Sequence, residues 1–343
     1  MKIYTFNAGT DTKVELLWSL RPNNRDRAFD KFISEFQGIE VTSIQDCDLA
    51  IFPRKAFNPE SLALDNSVFD AVQEAASYSK SLVIDATCDS DSPLEIPKAA
   101  ILRFGLYRSL KQDYETERPY WTNHEMKEQL ESLPILPRSS KPAVGFCGTT
   151  ASAGKYFKIG KMLPTEISKT ILSQGSWTRK VDIRLQKGMS YKLREVAIKR
   201  LTADQRIDAQ FEVTNSLNNY YDPVNPNRLL LEKLFVKNMD NCDYALCVRG
   251  NGNYSIRFYM TLNAGRIPLI VDTDEVFPFE TQIHMVKVPV NCLDNISDFV
   301  CEHFEKTTEK EFMEMKMENR AVYNKLMAPD KFIPNFLATV NHS

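Results

Sequence analysis

Apolar residues in this chain gather in short bursts, and between the bursts they recur at helical spacing. In the first half the bursts are "KIYTF", "DLAIFP", "SLVID" and "AAILRF", with amphipathic stretches at Val14–Leu20 and Val68–Ser77 between them. Buried parallel strands alternating with helices give this pattern. Around 131–142 the sequence "ESLPILPRSSKP" carries three prolines, which neither a helix interior nor a central strand tolerates. The alternation then restarts as "AVGFCG", a helix over Tyr156–Ser173, "AQFEV", a helix over Arg228–Met239, "DYALCV", a helix over Ser255–Ala264, "IPLIVD" and "VKVPV". From Ser297 to Leu326 the pattern is helical and charged, and Pro329 and Pro334 are expected to break it before a short segment at Asn335–Val340. The expectation is an α/β protein of two facing Rossmann-like domains, 1–135 and 143–328, joined by a linker at 136–142. Residues 329–343 would return to the first domain, and a ligand cleft would lie between the two.

Length agrees with two domains, since 343 residues exceed what one core fills. The formal charge of −2 gives no overall attraction to nucleic acid or membranes, so any interesting charge is local. Seven cysteines without a CxxC pair fit free thiols in a reducing compartment. Four isolated histidines show no zinc spacing, and no metal is expected. The start, "MKIYTFNAGTD", does not read as a secretory signal, and no apolar stretch is long enough to span a bilayer. A cytoplasmic protein is expected.

The local charge stands in "DYALCVRGNGNYSIRFYMTLNAGRIPLIVDTD", residues 243–274. A strand runs into a Gly/Asn turn, and ligands of open α/β sheets collect at such carboxyl ends. Gly250 and Gly252 would open the backbone, with Asn251 and Asn253 tolerating left-handed angles. Ser255 would cap the next helix, whose positive end favours an anion. Arg249 and Arg257 would add guanidinium forks suited to phosphate. A dinucleotide fingerprint is the rival reading, because Gly250-x-Gly252-x-x-Ser255 approaches GxGxxG and Asp272 lies about twenty residues on. Ser255 in place of the third glycine, and two arginines where backbone amides normally suffice, count against a nicotinamide oxidoreductase.

Residues 243–279 resemble the signature of exostosin-like glycosyltransferases, especially bacterial ones that build exopolysaccharide or surface glycans; "VGFCG" at 144–148 and "FVKNMDNCDY" add to the likeness. The resemblance implies a GT-B type fold with the nucleotide sugar held in the carboxy-terminal half, no bound metal or cofactor, and sugar transfer with inversion. A UDP-sugar would be the donor, a growing glycan or lipid-linked acceptor the second substrate, and polysaccharide, capsule or lipopolysaccharide assembly the setting. Such motifs commonly carry a glutamate near the nucleotide ribose where this chain has Met260, and a thioether accepts that hydrogen bond poorly. A non-catalytic sugar-nucleotide or glycan-binding protein is therefore the second reading.

Departure of a nucleoside diphosphate builds negative charge on the leaving group, which a metal-free site must meet with fixed positive charge. Arg249, Gly250, Asn251, Gly252, Asn253, Tyr254, Ser255 and Arg257 are the expected donor contacts. Gly148, Thr149 and Thr150 after the "VGFCG" strand would join them, with Lys155 as an extra cation and Asp272 and Asp274 binding sugar hydroxyls or fixing the loop. Inversion needs a base, and Asp85, at the end of "SLVID", is the candidate. The run 179–200 has eight Lys/Arg against Asp182 and Glu195. It is either a solvated helix face or a contact with an anionic acceptor or the inner membrane face. Tyr191 alone interrupts it, which disfavours nucleic acid.

Overall fold

A computed structural model describes residues 1–6, 14, 16, 40–58, 60–214 and 227–342. The helix expected over Val14–Leu20 lies outside the described residues apart from 14 and 16. The chain forms two compact units, the first from Met1–Leu106, Lys111–Pro119 and Met327–Ser343, the second from Tyr107–Leu110 and Tyr120–Leu326.

The first unit holds a parallel sheet of β1 (Lys2–Tyr4), β2 (Glu40–Val41), β3 (Leu49–Lys55), β4 (Ser81–Asp85), β5 (Ala99–Arg103) and β6 (Glu115–Glu117), in the order β2-β1-β3-β4-β5-β6. The apolar bursts supply β1, β3, β4 and β5. Helix α1 (Ser67–Ser77) buries Val68, Ala71 and Ala75 against a core that includes Ala50, Phe52, Leu82, Ile84 and Ile101.

The second unit begins its regular structure with α2 (His124–Glu131). Its sheet comprises β7 (Ala143–Thr149), β8 (Asp208–Thr214), β9 (Tyr244–Cys247), β10 (Ile267–Asp272) and β11 (Val286–Pro289), all parallel, in the order β11-β10-β9-β7-β8. Around it lie α3 (Lys155–Met162), α4 (Thr165–Leu172), the single turn α5 (Gly175–Thr178), α6 (Ile183–Ala203), α7 (Arg228–Asp240), α8 (Ile256–Asn263), α9 (Ile296–Lys306) and α10 (Glu309–Val322). Two parallel sheets flanked by helices make the chain α/β, as the apolar pattern indicates.

Four features differ from the expectation. The single helix over Tyr156–Ser173 is two helices, because Pro164 takes the N-cap position of α4 in extended geometry and proline cannot continue α3. The run Ser297–Leu326 is split by a capping box, in which Thr308 and Glu311 satisfy each other's backbone amides. The proline-rich 131–142 stretch belongs with the second unit. Met126 and Leu130 of α2 pack with Phe235, Met239 and Met260, and Lys316 Nζ donates to Leu136 O. The last helix, α11 (Pro329–His342), runs through Pro334 without a break and belongs to the first unit, against β4. No described helix is long and apolar enough to cross a membrane.

Candidate anion site at the ends of β7 and β9

In the second unit the chain passes from β7 to β8 on one side and then to β9 on the other. The carboxyl ends of β7 and β9 therefore flank a topological switch point, where open α/β sheets bind ligands. Residues 148–150 follow one strand and residues 249–255 the other.

Arg249 is 0% exposed. Its Nη1 donates to Asn253 Oδ1 at 3.1 Å and its Nη2 to Gln186 Oε1 at 2.9 Å, while Nε is buried without a partner. The Gln186 amide is fixed in direction, since its Nε2 donates to Thr178 O and Val181 O. Arg257, 7% exposed, donates from Nε and Nη2 to Cys147 O at 3.0 and 2.9 Å and stacks over the Phe146 ring at 4.3 Å. Burial pushes the neighbouring Cys147 thiol up to about 11, with Arg257 pulling the other way. Gly148 lies under this guanidinium at φ +157°. Thus both predicted arginines sit at the switch point. Among the described residues neither has a carboxylate within ion-pair distance; their hydrogen-bond partners are neutral oxygens.

A third guanidinium, unforeseen in the sequence, ties the two strand ends together. Arg194 of α6, 4% exposed, donates from Nη1 to Thr149 O at 2.6 Å and from Nη2 toward Val248 O and Arg249 O at 3.4 and 3.3 Å. Its guanidinium lies over the Tyr191 ring at 4.4 Å. Arg194 and Gln186 belong to the run that reads as a basic helix face. The charges of that run diverge: Arg194 turns into the fold, Arg184 pairs with Asp182, and Arg200 pairs with Asp294.

The remaining predicted residues are placed as follows. Gly250 and Gly252 are not in the left-handed region, and neither are Asn251 and Asn253. The loop closes instead through Gly250 N donating to Tyr254 O, so that amide is not bare. Asn253 is buried and its Oδ1 also accepts from Thr273 Oγ1, whereas Asn251 and Tyr254 are half-buried. Ser255 is the N-cap of α8 by position but makes no capping bond; its Oγ is buried beside the Cys247 thiol. The helix start is not open to an anion at that residue, because Ser255 N donates to the buried Glu275 carboxylate at 3.2 Å. A glutamate there offsets the positive end of the helix dipole. Thr149 Oγ1 accepts from Ala151 N, Thr150 O accepts from Lys161 Nζ, and Lys155 is exposed on α3.

Asp272 and Asp274 both make bonds within the protein, the loop-fixing alternative. Asp272 Oδ1 accepts from the amides of Asp274 and Glu275, and Oδ2 lies 3.5 Å from both Arg108 and Lys287. Asp274, at φ 65°, accepts from Ser109 N, Ser109 Oγ and Gly175 N. These bonds hold residues 107–110 beside β10, with Tyr107 bridging Glu275. Asp85 is likewise committed within the first unit. It is 2% exposed, accepts from Thr87 N and Oγ1, and lies 3.8 Å from Arg118 Nη1. That geometry fixes the turn after β4. Met260, 1% exposed, packs among Met126, Leu130, Cys147 and Phe235, so the position usually held by glutamate in the resembled motif is core here.

No protein-family model matches this sequence, and no curated protein does. Among solved structures, the chain is similar to HepE from Anabaena in complex with UDP and glucose, with 9% identity, 100% of this chain and 99% of that one covered, and a TM-score of 0.35. It is also similar to a glycosyltransferase from Rickettsia africae, with 9% identity, 99% and 98% covered, and a TM-score of 0.34. A variant of the wall teichoic acid polymerase TagF follows at 10% identity, 99% and 87% covered, with a TM-score of 0.26.

Proposed function

We propose that this chain is an inverting, metal-independent glycosyltransferase of the GT-B type that moves a hexose or pentose from a nucleotide-diphosphate donor, such as a UDP-sugar, to a growing glycan or lipid-linked acceptor in polysaccharide assembly. The observation that carries the reading is the pair of buried guanidiniums, Arg249 and Arg257, at the ends of neighbouring strands without a carboxylate partner among the described residues. A buried cation is ordinarily paired, because desolvating it alone is costly. Two at a switch point fit an anion supplied by a ligand, and a diphosphate offers two charged groups a few ångströms apart.

In the reaction the acceptor hydroxyl oxygen attacks the anomeric carbon while the bond from that carbon to the diphosphate oxygen breaks. The bonding pair leaves with the nucleoside diphosphate, and the hydroxyl proton passes to a base. Arg257, held over Gly148 by Cys147 O, and Arg249, oriented by Gln186 and Asn253, would meet the charge growing on the leaving group. Their bonds to protein oxygens fix them beforehand, so little reorganisation accompanies transfer. Arg194 would act through the backbone, keeping the loops after β7 and β9 in register.

A binding protein without transfer activity is the second reading, favoured by Met260 in the core and by the commitment of Asp85. Calorimetry with UDP, GDP, uridine and NAD, followed by an assay for nucleoside diphosphate release from UDP-sugars in EDTA, separates the readings. Diphosphate binding with slow release supports transfer, and binding without release supports the second reading. Binding of NAD alone, or no preference for UDP over uridine, overturns both.

A further inference from the structure

Large apolar side chains exposed among the described residues are not scattered evenly: Tyr156, Ile159, Met162, Ile167 and Trp177, five of twelve, fall within 22 residues. Met162 is 82% exposed and Trp177 53%. All five lie on α3, α4 and α5.

The placement of α3 follows from its contact with α6. Gly160 and Gly188 let the helices approach until a Cβ on either would come 2.2 Å from a carbonyl oxygen of the other, Leu185 O or Phe157 O. With Phe157 and Gly160 facing inward, a helix turning 100° per residue presents Lys158, Met162, Lys155, Ile159 and Tyr156 in succession around its outer arc. Helix α4 packs on α6 as well, and α5 on α4. Arg184 of α6 lies over the exposed Tyr156 ring at 4.0 Å, extending the same mixture of aromatic and cation.

Charge selects the occupant of this surface. Residues 155–187 contain eight Lys/Arg and two acidic residues. Both acids are neutralised within the unit, Glu166 by Lys169 and Asp182 by Arg184. Lys155, Lys158 and Lys180 are exposed and make no ion pair among the described residues. Apolar side chains set singly among unpaired lysines, with a tryptophan and a tyrosine, match the interface of an anionic bilayer, where the apolar groups enter and the cations meet headgroups. A second copy of the chain would set the same lysines against one another across a twofold interface.

We infer that the outer face of α3, α4 and α5 is a peripheral docking surface for an anionic lipid bilayer, entered by Tyr156, Ile159, Met162, Ile167 and Trp177 and anchored by Lys155, Lys158 and Lys180. This inference does not rest on the transfer reading. It narrows the membrane contact expected of the run 179–200 to Lys180 and adds the face of α3, α4 and α5 that precedes it, since Arg184, Arg194 and Arg200 are engaged within the fold.

The full chain is tested by flotation with vesicles of phosphatidylcholine alone and of phosphatidylcholine with phosphatidylglycerol. Wild type should float only with the anionic vesicles, less at high salt, and its tryptophan emission should shift to the blue in a way that Trp177→Phe removes. Ile159→Asp with Met162→Asp should reduce the bound fraction at least ten-fold with the melting temperature kept. Lys158→Glu with Lys180→Glu should do the same through charge alone, which guards against misfolding of the first pair. Absence of wild-type flotation, equal flotation with neutral vesicles, undiminished flotation of both variants, or a solution dimer dispersed by Met162→Asp would each overturn the assignment.

Discussion

The guanidinium of Arg257 occupies the space where a side chain at position 148 would begin: a Cβ on Gly148 would come 1.9 Å from Nη2. The guanidinium cannot yield without leaving Cys147 O and the Phe146 ring. Gly148→Ala is therefore expected to act on Arg257 at a distance in sequence of more than a hundred residues. Loss of a hydrogen bond to a charged group is worth about 1.5–3 kcal/mol, or roughly 10- to 100-fold in Kd. Calorimetry should show UDP affinity falling by that factor in both Gly148→Ala and Arg257→Ala, with uridine affinity little changed. Full UDP affinity in Gly148→Ala would separate the glycine from the phosphate site.

Arg249 gives a different signature. Removing one partner of a buried ion pair usually destabilises by about 3–5 kcal/mol, but Arg249→Met strands no carboxylate and leaves Asn253 Oδ1 still accepting from Thr273. Chemical denaturation should show a smaller loss than that, whereas the rise in melting temperature expected for wild type with UDP should be absent. A large loss of stability with the UDP effect intact would make Arg249 a purely structural cation.

Glu275 holds the first amide at the start of α8. Glu275→Gln should weaken the unit by about 0.3–1 kcal/mol, the usual worth of a charge at a helix end. It should also tighten UDP binding, because a negative charge at the start of α8, the helix that carries Arg257, disappears. Weaker UDP binding in this variant would point to Glu275 as a ligand-ordering group instead.

In the first unit Glu117 is 2% exposed, and burial pushes its carboxyl up to about 8 despite the amides of Leu106 and Gly105 that donate to it. A carboxyl whose folded pKa exceeds its unfolded value keeps its proton in the native state while the unfolded chain releases it. Stability then declines as pH rises from the ordinary carboxyl range to about 8 and levels off beyond, by up to roughly 1.4 kcal/mol per pH unit. Urea denaturation across that window should show this decline in wild type, and its removal in Glu117→Gln. An identical slope in the variant would assign the dependence to other groups.

The strand bursts were legible because a parallel strand buried on both faces is apolar through its centre, and β3, β4, β9 and β10 are of this kind, with polar residues confined to their ends. Strands β2 and β6 were not: "EV" and "ETE" are short, polar edge strands placed by their neighbours. The positions of Arg249 and Arg257 followed from the strand-to-helix turn, but their partners did not, since Gln186 and Arg194 arrive from a helix more than fifty residues earlier. A weak signal existed. Gln186, Ser190 and Arg194 stand at i, i+4 and i+8 on α6 and are all buried, a polar stripe facing inward. The roles of Asp272, Asp274 and Glu275 depend on Arg108, Ser109 and Ser255, and no local pattern discloses such pairings.

The first unit is closed by α11, whose residues follow the whole stretch that builds the second unit, while the second is nearly one continuous run. During synthesis the later unit therefore has its whole sequence available before the earlier one does, and the sheet made first must wait, with the face that α11 will cover still wet, until α11 itself has emerged. A nonsense codon or protease cut just before Met327 would strike the amino-terminal half of the molecule, leaving a product whose damage lies far along the chain from the lesion.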